Sequence, residues 1–504
     1  GSQHWMLSWT PLRKGCRMEA EHREVRTVPI QIYNTLTGKK EPLETVEPGR
    51  VKMYSCGPTV YDYFHVGNAR AFVVPDVIKR YLRDRGYQVL HVQNVTDIDD
   101  KIIQRAQSLG VSVDEVVDRY TRAYLEDLLR LGCEMPTVLP RARDHVGPMI
   151  DLIRVLFDNG LAYAAGGDVY FSVERFPRYG QLSRQEVSQL EAGARVEASA
   201  HKRHPADFVL WKAAKPGEPW WESPWGRGRP GWHLECSAMS MAYLGERFDI
   251  HTGGADLIFP HHENEIAQSE GAVGHPVVTY WVHNGYINVD GEKMSKSLGN
   301  FWLFRDVADR WGAPVVRALL LSKHYRTPID FTEEALEAQA RGLERLYRTV
   351  GDLARRLHPD APQLSSEAAA AGPAEQALER VLQEKEAAFH EAMEDDFNTA
   401  MALARLFELA REVNRYLTEA EPAPQPGPQP TLHRAYRLLI RLGGILGLRL
   451  DEPLHSRADD GELLVPLVDL ILEVRQQVRS ERRFDLADQI RDRLKALGIQ
   501  VEDT

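Results

Sequence analysis

Cysteine is scarce in this chain. The 504 residues hold four, Cys16, Cys56, Cys133 and Cys236, and none forms a CxxC pair. That spacing excludes a disulfide framework and fits a reduced, cytoplasmic setting. Long apolar runs are missing too: no stretch reaches the roughly 18 residues of a membrane span, so no membrane association is expected. No apolar h-region follows the N-terminus, so nothing points to secretion. Net positive charge is also lacking. A formal charge of −11 excludes an indiscriminate nucleic-acid binder, but it leaves room for one RNA gripped through local basic faces. No internal repeat is found.

What remains is ordinary globular material, 43% hydrophobic and 27% charged. A chain of this length exceeds one core, so roughly two to four domains are expected. Gly1 to Trp5 read as an appended scar, and residues 1–24 are set aside as a leader, with Met6 and Met18 as candidate starts.

The chain is organised around residues 54–70, Tyr-Ser-Cys-Gly-Pro-Thr-Val-Tyr-Asp-Tyr-Phe-His-Val-Gly-Asn-Ala-Arg. An apolar run (Val51, Met53, Tyr54) precedes it as a buried strand. A helical pattern (Phe72, Val73, Val77, Ile78, Tyr81, Leu82) follows and stops at Gly86. This is a strand-to-helix turn at the edge of an α/β sheet, where ligands commonly sit. Gly57 and Pro58 redirect the backbone, and Gly67 removes a side chain where a flat or phosphorylated ligand could approach. His65 and Asn68 are donors near a helix N-terminus, which favours anions.

Ile30 to Tyr33 and Val51 to Tyr54 read as the first strands, and Val89 to Val95 as another, giving a βαβ unit and a parallel sheet. Residues 102–160 are mostly helical. Residues 161–224 change character, with a strand at Asp168 to Ser172, and read as an insertion between two halves of the sheet. Val277 to His283 is a strand, and Tyr286 to Met294 a hairpin turning at Asp290-Gly291. From about 305 the pattern is helical, broken by Pro-rich segments at 359–373 and 421–430.

Two further clusters carry chemistry. In His261-His262-Glu263-Asn264-Glu265, His261 and Glu265 share one helix face at i and i+4, so both could reach one metal ion. The metalloprotease pattern HExxH fails, because the position four beyond His262 is Ile266. Cys56 and Cys236 are further zinc-competent groups, although spacing alone does not join three separate segments. In Lys293-Met294-Ser295-Lys296-Ser297, two lysines three apart flank hydroxyls, as suits a mobile phosphate-binding loop.

The pentapeptide KMSKS, downstream of the HxGN motif at 65–68, resembles the class I aminoacyl-tRNA synthetases. Cys56-Gly57-Pro58-Thr59-Val60-Tyr61, Asn94-Val95-Thr96-Asp97-Ile98-Asp99-Asp100-Lys101, Gly231-Trp232-His233-Leu234-Glu235-Cys236 and Phe259-Pro260-His261-His262-Glu263-Asn264-Glu265 resemble the cysteinyl-tRNA synthetase family within that class. The resemblance runs from about residue 28 to about 503. It implies a Rossmann-type α/β catalytic domain in two halves (25–140 and 225–290) around a connective insertion (141–224). A stem-contact fold with the KMSKS loop (291–340) follows, then all-α C-terminal parts: a helical bundle (341–450), to which Asp396-Phe397-Asn398-Thr399 belongs, and an anticodon-binding module (451–504).

The resemblance also implies the chemistry. One zinc is expected on Cys56, Cys236, His261 and Glu265. Contacts to L-cysteine map onto Gly57, Thr96, Trp232 and Asp256. The ATP site, with Mg²⁺, maps onto His65, Gly67, Asn68, Lys293, Ser295 and Lys296, of which His65, Asn68, Lys293 and Lys296 are the catalytic candidates. A thiolate ligates zinc well and a neutral hydroxyl poorly, so zinc can separate cysteine from serine without an editing domain. The partners implied are tRNA(Cys), L-cysteine and ATP, and a monomer is expected. Residues 475–495 hold seven basic and four acidic side chains, an RNA-facing surplus in an acidic protein. The family's short Thr/Trp/Arg tail has no counterpart before Thr504. Lys101-Ile102-Ile103-Gln104-Arg105 resembles a lysine motif linked in the family to pyridoxal phosphate and cysteine persulfide formation, which adds a side activity. Two rivals stand beside this reading. A mycothiol-pathway ligase would lack the anticodon module, and a non-catalytic RNA-binding paralogue would not need intact KMSKS and HxGN.

Overall fold

The computed structural model describes residues 29–185, 201–289, 292–294, 301–357, 372–419 and 430–452, with scattered positions from 454 onward. The chain opens with a hairpin of β1 (Gln31–Asn34) and β2 (Lys39–Pro42), turning at Gly38 with φ +73°. Then come β3 (Arg50–Ser55), α1 (Val66–Asp84), β4 (Gln88–Gln93), α2 (Asp100–Leu109), α3 (Val113–Arg130) and α4 (Val146–Asp158). A separate four-stranded antiparallel sheet follows, made of β5 (Ala162–Ala165), β6 (Asp168–Phe171), β7 (Phe208–Ala213) and β8 (Gly228–Pro230). The core resumes with α5 (Trp232–Leu244), β9 (Phe248–Gly254), α6 (Glu263–Val273) and β10 (Val278–Asn284). There follow β11 (Ile287–Val289), β12 (Glu292–Lys293), α7 (Phe304–Trp311), α8 (Ala313–Leu321) and β13 (Ile329–Asp330). Four long helices complete it: α9 (Glu333–Arg356), α10 (Pro373–Glu394), α11 (Thr399–Glu419) and α12 (Pro430–Ile445).

The central sheet is parallel, in the order β10-β9-β3-β4. Every residue of β9 is buried, as a strand covered on both faces requires. The chain runs from β3 outward to β4 and later returns to β9 on the other side. The carboxyl ends of β3 and β9 therefore flank a topological switch point, where such sheets bind ligands. Cys56 follows β3, and Gly254 ends β9.

The first strand read at Ile30 to Tyr33 forms as β1, in a two-stranded sheet apart from the central one. Residues 31–34 pair antiparallel with β2, and Gln31 also bridges to Asp395. The β1 edge meets β10 through side chains instead, with Asn34 Nδ2 donating to the Thr279 carbonyl at 2.9 Å. The strand expected over Val89 to Val95 ends at Gln93, because the Asn94 side chain turns to the loop after β3. The helix expected after residue 70 begins earlier, at Val66. His65 caps it, its ring accepting from Asn68 N while Asn68 Oδ1 accepts from His65 N. The hairpin is present as β11 and β12, paired Val289 to Glu292, and its turn at Asp290-Gly291 lies outside the described residues. Strand β13 then adds in parallel to β11.

A buried ionic knot joins the α/β core to the helical part. Asp76 on α1 receives Arg317 of α8 at 2.6 Å and Arg80 at 2.8 Å, and Arg317 also donates to the Leu446 carbonyl at 2.7 Å. These guanidiniums outweigh the burial that would push the Asp76 carboxyl up, and hold it below the usual carboxylate range. The Pro-rich breaks and most of residues 451–504 lie outside the described residues, as does the expected module there.

Candidate active site and metal centre

A cavity of about 420 Å³ opens at the switch point. Its lining includes Cys56, Gly57, Thr96, Trp232, Cys236, Asp256 and His261 from one side, and His65, Gly67, Asn68 and Met294 from the other. Residues that the sequence drew from five separate segments thus meet at one place.

At its base the donor atoms of Cys56, Cys236, His261 and Glu265 all lie within 4.8 Å of one another. Cys56 Sγ is 3.7 Å from Cys236 Sγ and 3.6 Å from Glu265 Oε1, and His261 Nε2 is 2.9 Å from the same oxygen. His261 lies not in α6 but just before it, after a kink at Phe259, whose backbone is extended at φ −137° and ψ 135°. Burial alone would push these groups to their neutral forms, and mutual charge opposes it. Burial lowers His261, but Glu265 and Cys236 outweigh it and bring the imidazole up to about 10. Burial raises Glu265, but His251 and His261 hold it well below the carboxylate range. Among the thiols, burial pushes Cys56 well up, whereas contacts with Cys56 and His261 bring Cys236 down to about 6. Two soft thiols, an imidazole and an ionised carboxylate converging on one point are a donor set suited to zinc.

A second set, Cys56, His251, His262 and Glu265, shares two of these residues. Sequence reasoning named His262 only as part of its cluster and did not name His251. Glu265 Oε2 accepts from His251 Nε2 at 2.8 Å, and His262 Nδ1 is 2.7 Å from His283 Nε2. The ring of His251 stacks on Trp281 at 4.5 Å. This group lies under the site: Cys56, Cys236 and His261 line the cavity, while His251 and His262 do not. His233 Nδ1 is 2.8 Å from His261 Nδ1, so Nε2 of His261 is left facing Glu265. The available signal was local density, since six of the chain's 18 histidines (233, 251, 261, 262, 275 and 283) fall between residues 233 and 283.

The pocket above is tightly fixed. Gly57 N donates to Asn94 Oδ1 at 2.8 Å, and a β-carbon on Gly57 would lie 1.6 Å from the Asn94 carbonyl oxygen. No side chain fits there. Thr96 Oγ1 donates to Glu235 Oε2 at 2.7 Å and accepts from Asn94 Nδ2 at 3.2 Å. Trp232 stacks on His261 with ring centroids 4.3 Å apart. Asp256 sits at the wall, close to Gly254.

The two signature segments meet across the mouth. Val66 N donates to Trp302 O at 3.0 Å and Phe304 N to Phe64 O at 3.1 Å, so the chain on either side of His65 is paired to the segment after KMSKS. Lys293 ends β12, and Met294 is buried against Gly67. Ser295 and Lys296 lie outside the described residues. Lys101 is exposed near the start of α2, its ammonium 5.5 Å from the centre of the Tyr61 ring.

Comparison with known proteins agrees with this architecture. Residues 42–341 match the family profile of the tRNA synthetases class I (C) catalytic domain, and residues 388–451 match the DALR domain. The chain is 50% identical over 479 residues to a cysteine–tRNA ligase of Desulforudis audaxviator, covering 94% of this chain and 98% of that protein. It is 48% identical over 475 residues to one of Thermococcus gammatolerans, with 94% and 97% covered. Among solved structures, Mycobacterium tuberculosis methionyl-tRNA synthetase with methionyl-adenylate matches at TM-score 0.56 and 17% identity, over 79% of this chain and 89% of that one. The LeuRS of an Agrobacterium radiobacter ternary complex matches at 0.58 and 13%, over 80% and 85%. These distant likenesses concern the fold. With the catalytic profile spanning more than half its length and relatives near 50% identity along nearly all of it, the chain belongs to the cysteine–tRNA ligase family of class I aminoacyl-tRNA synthetases.

Proposed function

We propose that the protein attaches L-cysteine to tRNA(Cys) through a cysteinyl-adenylate, with a zinc ion reading the substrate thiol. The observation that carries this is the convergence of Cys56, Cys236 and His261 at the floor of a cavity whose rim holds His65, Gly67 and Asn68, with Glu265 within reach just behind them. Relatives named as cysteine–tRNA ligases support the substrate.

The open face of the cavity favours Cys56, Cys236, His261 and Glu265 as the zinc ligands over the deeper histidine set, because a metal that reads a substrate must be reached by it. When bound there, zinc supplies a soft Lewis acid that takes a thiolate in preference to a hydroxyl. Buried hydrogen-bond differences alone reach discrimination of about 10⁴ to 10⁵, so this site can reject serine without editing. Asp256 pairs with the substrate ammonium. Trp232, stacked on a ligand histidine, closes the pocket against larger side chains. Thr96, its proton committed to Glu235, offers an acceptor.

In the first step the cysteine carboxylate attacks the α-phosphorus of ATP, and the bond to the β-phosphate oxygen breaks. Pyrophosphate leaves against the charge of Lys293, Lys296 and Mg²⁺. The α1 N-terminus, with His65 and Asn68, receives the nucleotide. In the second step a terminal ribose hydroxyl of tRNA attacks the mixed-anhydride carbonyl, and AMP departs. Positioning and charge stabilisation account for both steps.

Residues 341–450 then serve as the bundle that carries an RNA-binding module at 451–504, and the free thiols suit a reducing cytoplasm. The pyridoxal phosphate reading gains no support from the exposed placement of Lys101. The test is cysteine-dependent ATP–pyrophosphate exchange followed by tRNA charging. The account expects both with cysteine and neither with serine. Equal exchange with serine would overturn the thiol reading.

A further inference from the structure

Asp396 stands at the turn between α10 and α11, far along the chain from every residue assigned above. It is fully buried, and it and Phe397 both adopt left-handed backbone, with φ of 60° and 50°. Such conformations cost of order 1–2 kcal/mol each for residues with side chains, and they persist where the surroundings impose them. The surroundings here are explicit. Asp396 Oδ1 accepts from Tyr33 N at 2.8 Å and from Tyr325 Oη at 2.6 Å, and Oδ2 accepts from Arg326 Nε at 2.8 Å, with His324 Nε2 at 3.4 Å. One carboxylate therefore gathers the side chains of three consecutive residues, 324–326.

The backbone of the same three residues faces the catalytic site. The His324 carbonyl accepts from Arg70 Nη2 at 3.0 Å, and Arg70 Nη1 reaches the carbonyls of Gly285 and Tyr286 at 3.0 and 3.2 Å. The Tyr325 carbonyl accepts from Gly285 N at 2.8 Å. Gly285 leads directly into β11, and a β-carbon there would lie 2.7 Å from the Arg326 carbonyl. Arg70 belongs to α1, whose N-terminus carries His65 and Asn68. Strands β11 and β12 lead to Lys293. The segment 324–326 thus touches both α1 and the strand that leads to Lys293, and Asp396 holds its side chains.

We propose that Asp396 is a positioning residue for adenylate formation: through residues 324–326 it sets the distance between the α1 N-terminus and the hairpin that bears the KMSKS loop. The inference rests on reading that loop as the pyrophosphate-binding element. Asp395, next to it, is exposed and pairs with Lys40 at the surface, so it has no such role.

The experiment is single-turnover adenylate formation on the full-length zinc-loaded protein, which reads a rate constant and an active fraction separately. Asp396→Asn keeps an acceptor for Tyr33 and Tyr325 and weakens the hold on Arg326. Its rate constant should fall roughly tenfold to a hundredfold, the scale of a misplacement of about an ångström. The active fraction, zinc content and cysteine affinity should stay at the wild-type level. Arg326→Gln should show part of the same loss, less than additive with Asp396→Asn, and Asp395→Ala none. If Asp396→Asn yields no folded protein, Arg326→Gln decides by the same two numbers. A lower active fraction with an unchanged rate constant would make Asp396 merely structural and overturn the proposal. Lys296→Ala is the parallel control. If it is slow and Asp396→Asn is not, this inference alone falls; if Lys296→Ala is silent, the reading of the loop falls with it.

Discussion

Gly67 and Met294 are in contact across the mouth of the site: a β-carbon placed on Gly67 would lie 2.8 Å from the Met294 methyl and 2.9 Å from His65 Nδ1. Segments more than two hundred residues apart, one opening α1 and one following β12, are therefore packed together with no room between them. The contact differs in kind from that at Gly57, where the obstacle is the Asn94 carbonyl rather than the end of a flexible side chain.

That difference sets a contrast between two substitutions. Gly67→Ala asks the Met294 side chain and the His65 ring to shift, both of them side chains, so the protein should stay folded and the ATP KM should rise severalfold. Gly57→Ala cannot be met without moving the loop after β3 away from Asn94. It should cost about 1–3 kcal/mol as overpacking and lower cysteine activation by roughly a hundredfold or more. Thermal melts and exchange kinetics on both variants check this, and a fully active Gly57→Ala would contradict the geometry.

His91 gives a pH signature. It is a buried residue of β4, with Nε2 2.9 Å from Ser55 Oγ, and burial, aided by the nearby Lys79 charge, pushes its imidazole down to about 3. Its unfolded value is near 6.5. Between these values the unfolded chain binds a proton that the folded one does not, so this residue makes stability fall as pH drops from about 6.5 towards 3. His91→Gln should remove up to about 1.4 kcal/mol per pH unit of that slope. Denaturant titrations at pH 7, 6 and 5 measure it. Equal slopes in wild type and variant would show that His91 is protonated in the folded protein.

Removal of residues 451–504 tests the division of labour. All the groups assigned to cysteine, zinc and ATP precede residue 300, so pyrophosphate exchange should survive nearly intact. The KM for tRNA should rise and the salt dependence of tRNA binding should weaken, because fewer phosphates are neutralised. Equal charging of tRNA by the truncated and full-length proteins would show that this arm does not recognise RNA.

Much of the fold could be read from the chain because its signals are local. The periodic Phe72, Val73, Val77, Ile78 and Tyr81 mark α1, and the β-branched run from Val89 marks β4. The HxGN and KMSKS segments could be paired only through resemblance, since nothing in their spacing brings them together. What stayed hidden depends on tertiary return. His251, His262 and His283 sit on β9, before α6 and on β10, and only the crossover of a parallel sheet stacks them under Glu265. Glu235 looks like one more polar residue at a helix start until Thr96 is placed 2.7 Å away. Residues 31–34 carry a strand pattern, yet no sequence signal tells an antiparallel flap from a member of the central sheet.

The central claim is that Cys56, Cys236, His261 and Glu265 hold the zinc that reads cysteine. It is tested most directly by measuring metal content and cysteine-dependent pyrophosphate exchange together on the wild type, Cys236→Ala and His251→Gln. The account predicts one zinc per chain in the wild type. It predicts loss of both zinc and exchange in Cys236→Ala, and retention of zinc in His251→Gln, whose imidazole belongs only to the deeper set. A Cys236→Ala protein that keeps its metal and activates cysteine at the wild-type rate would contradict it.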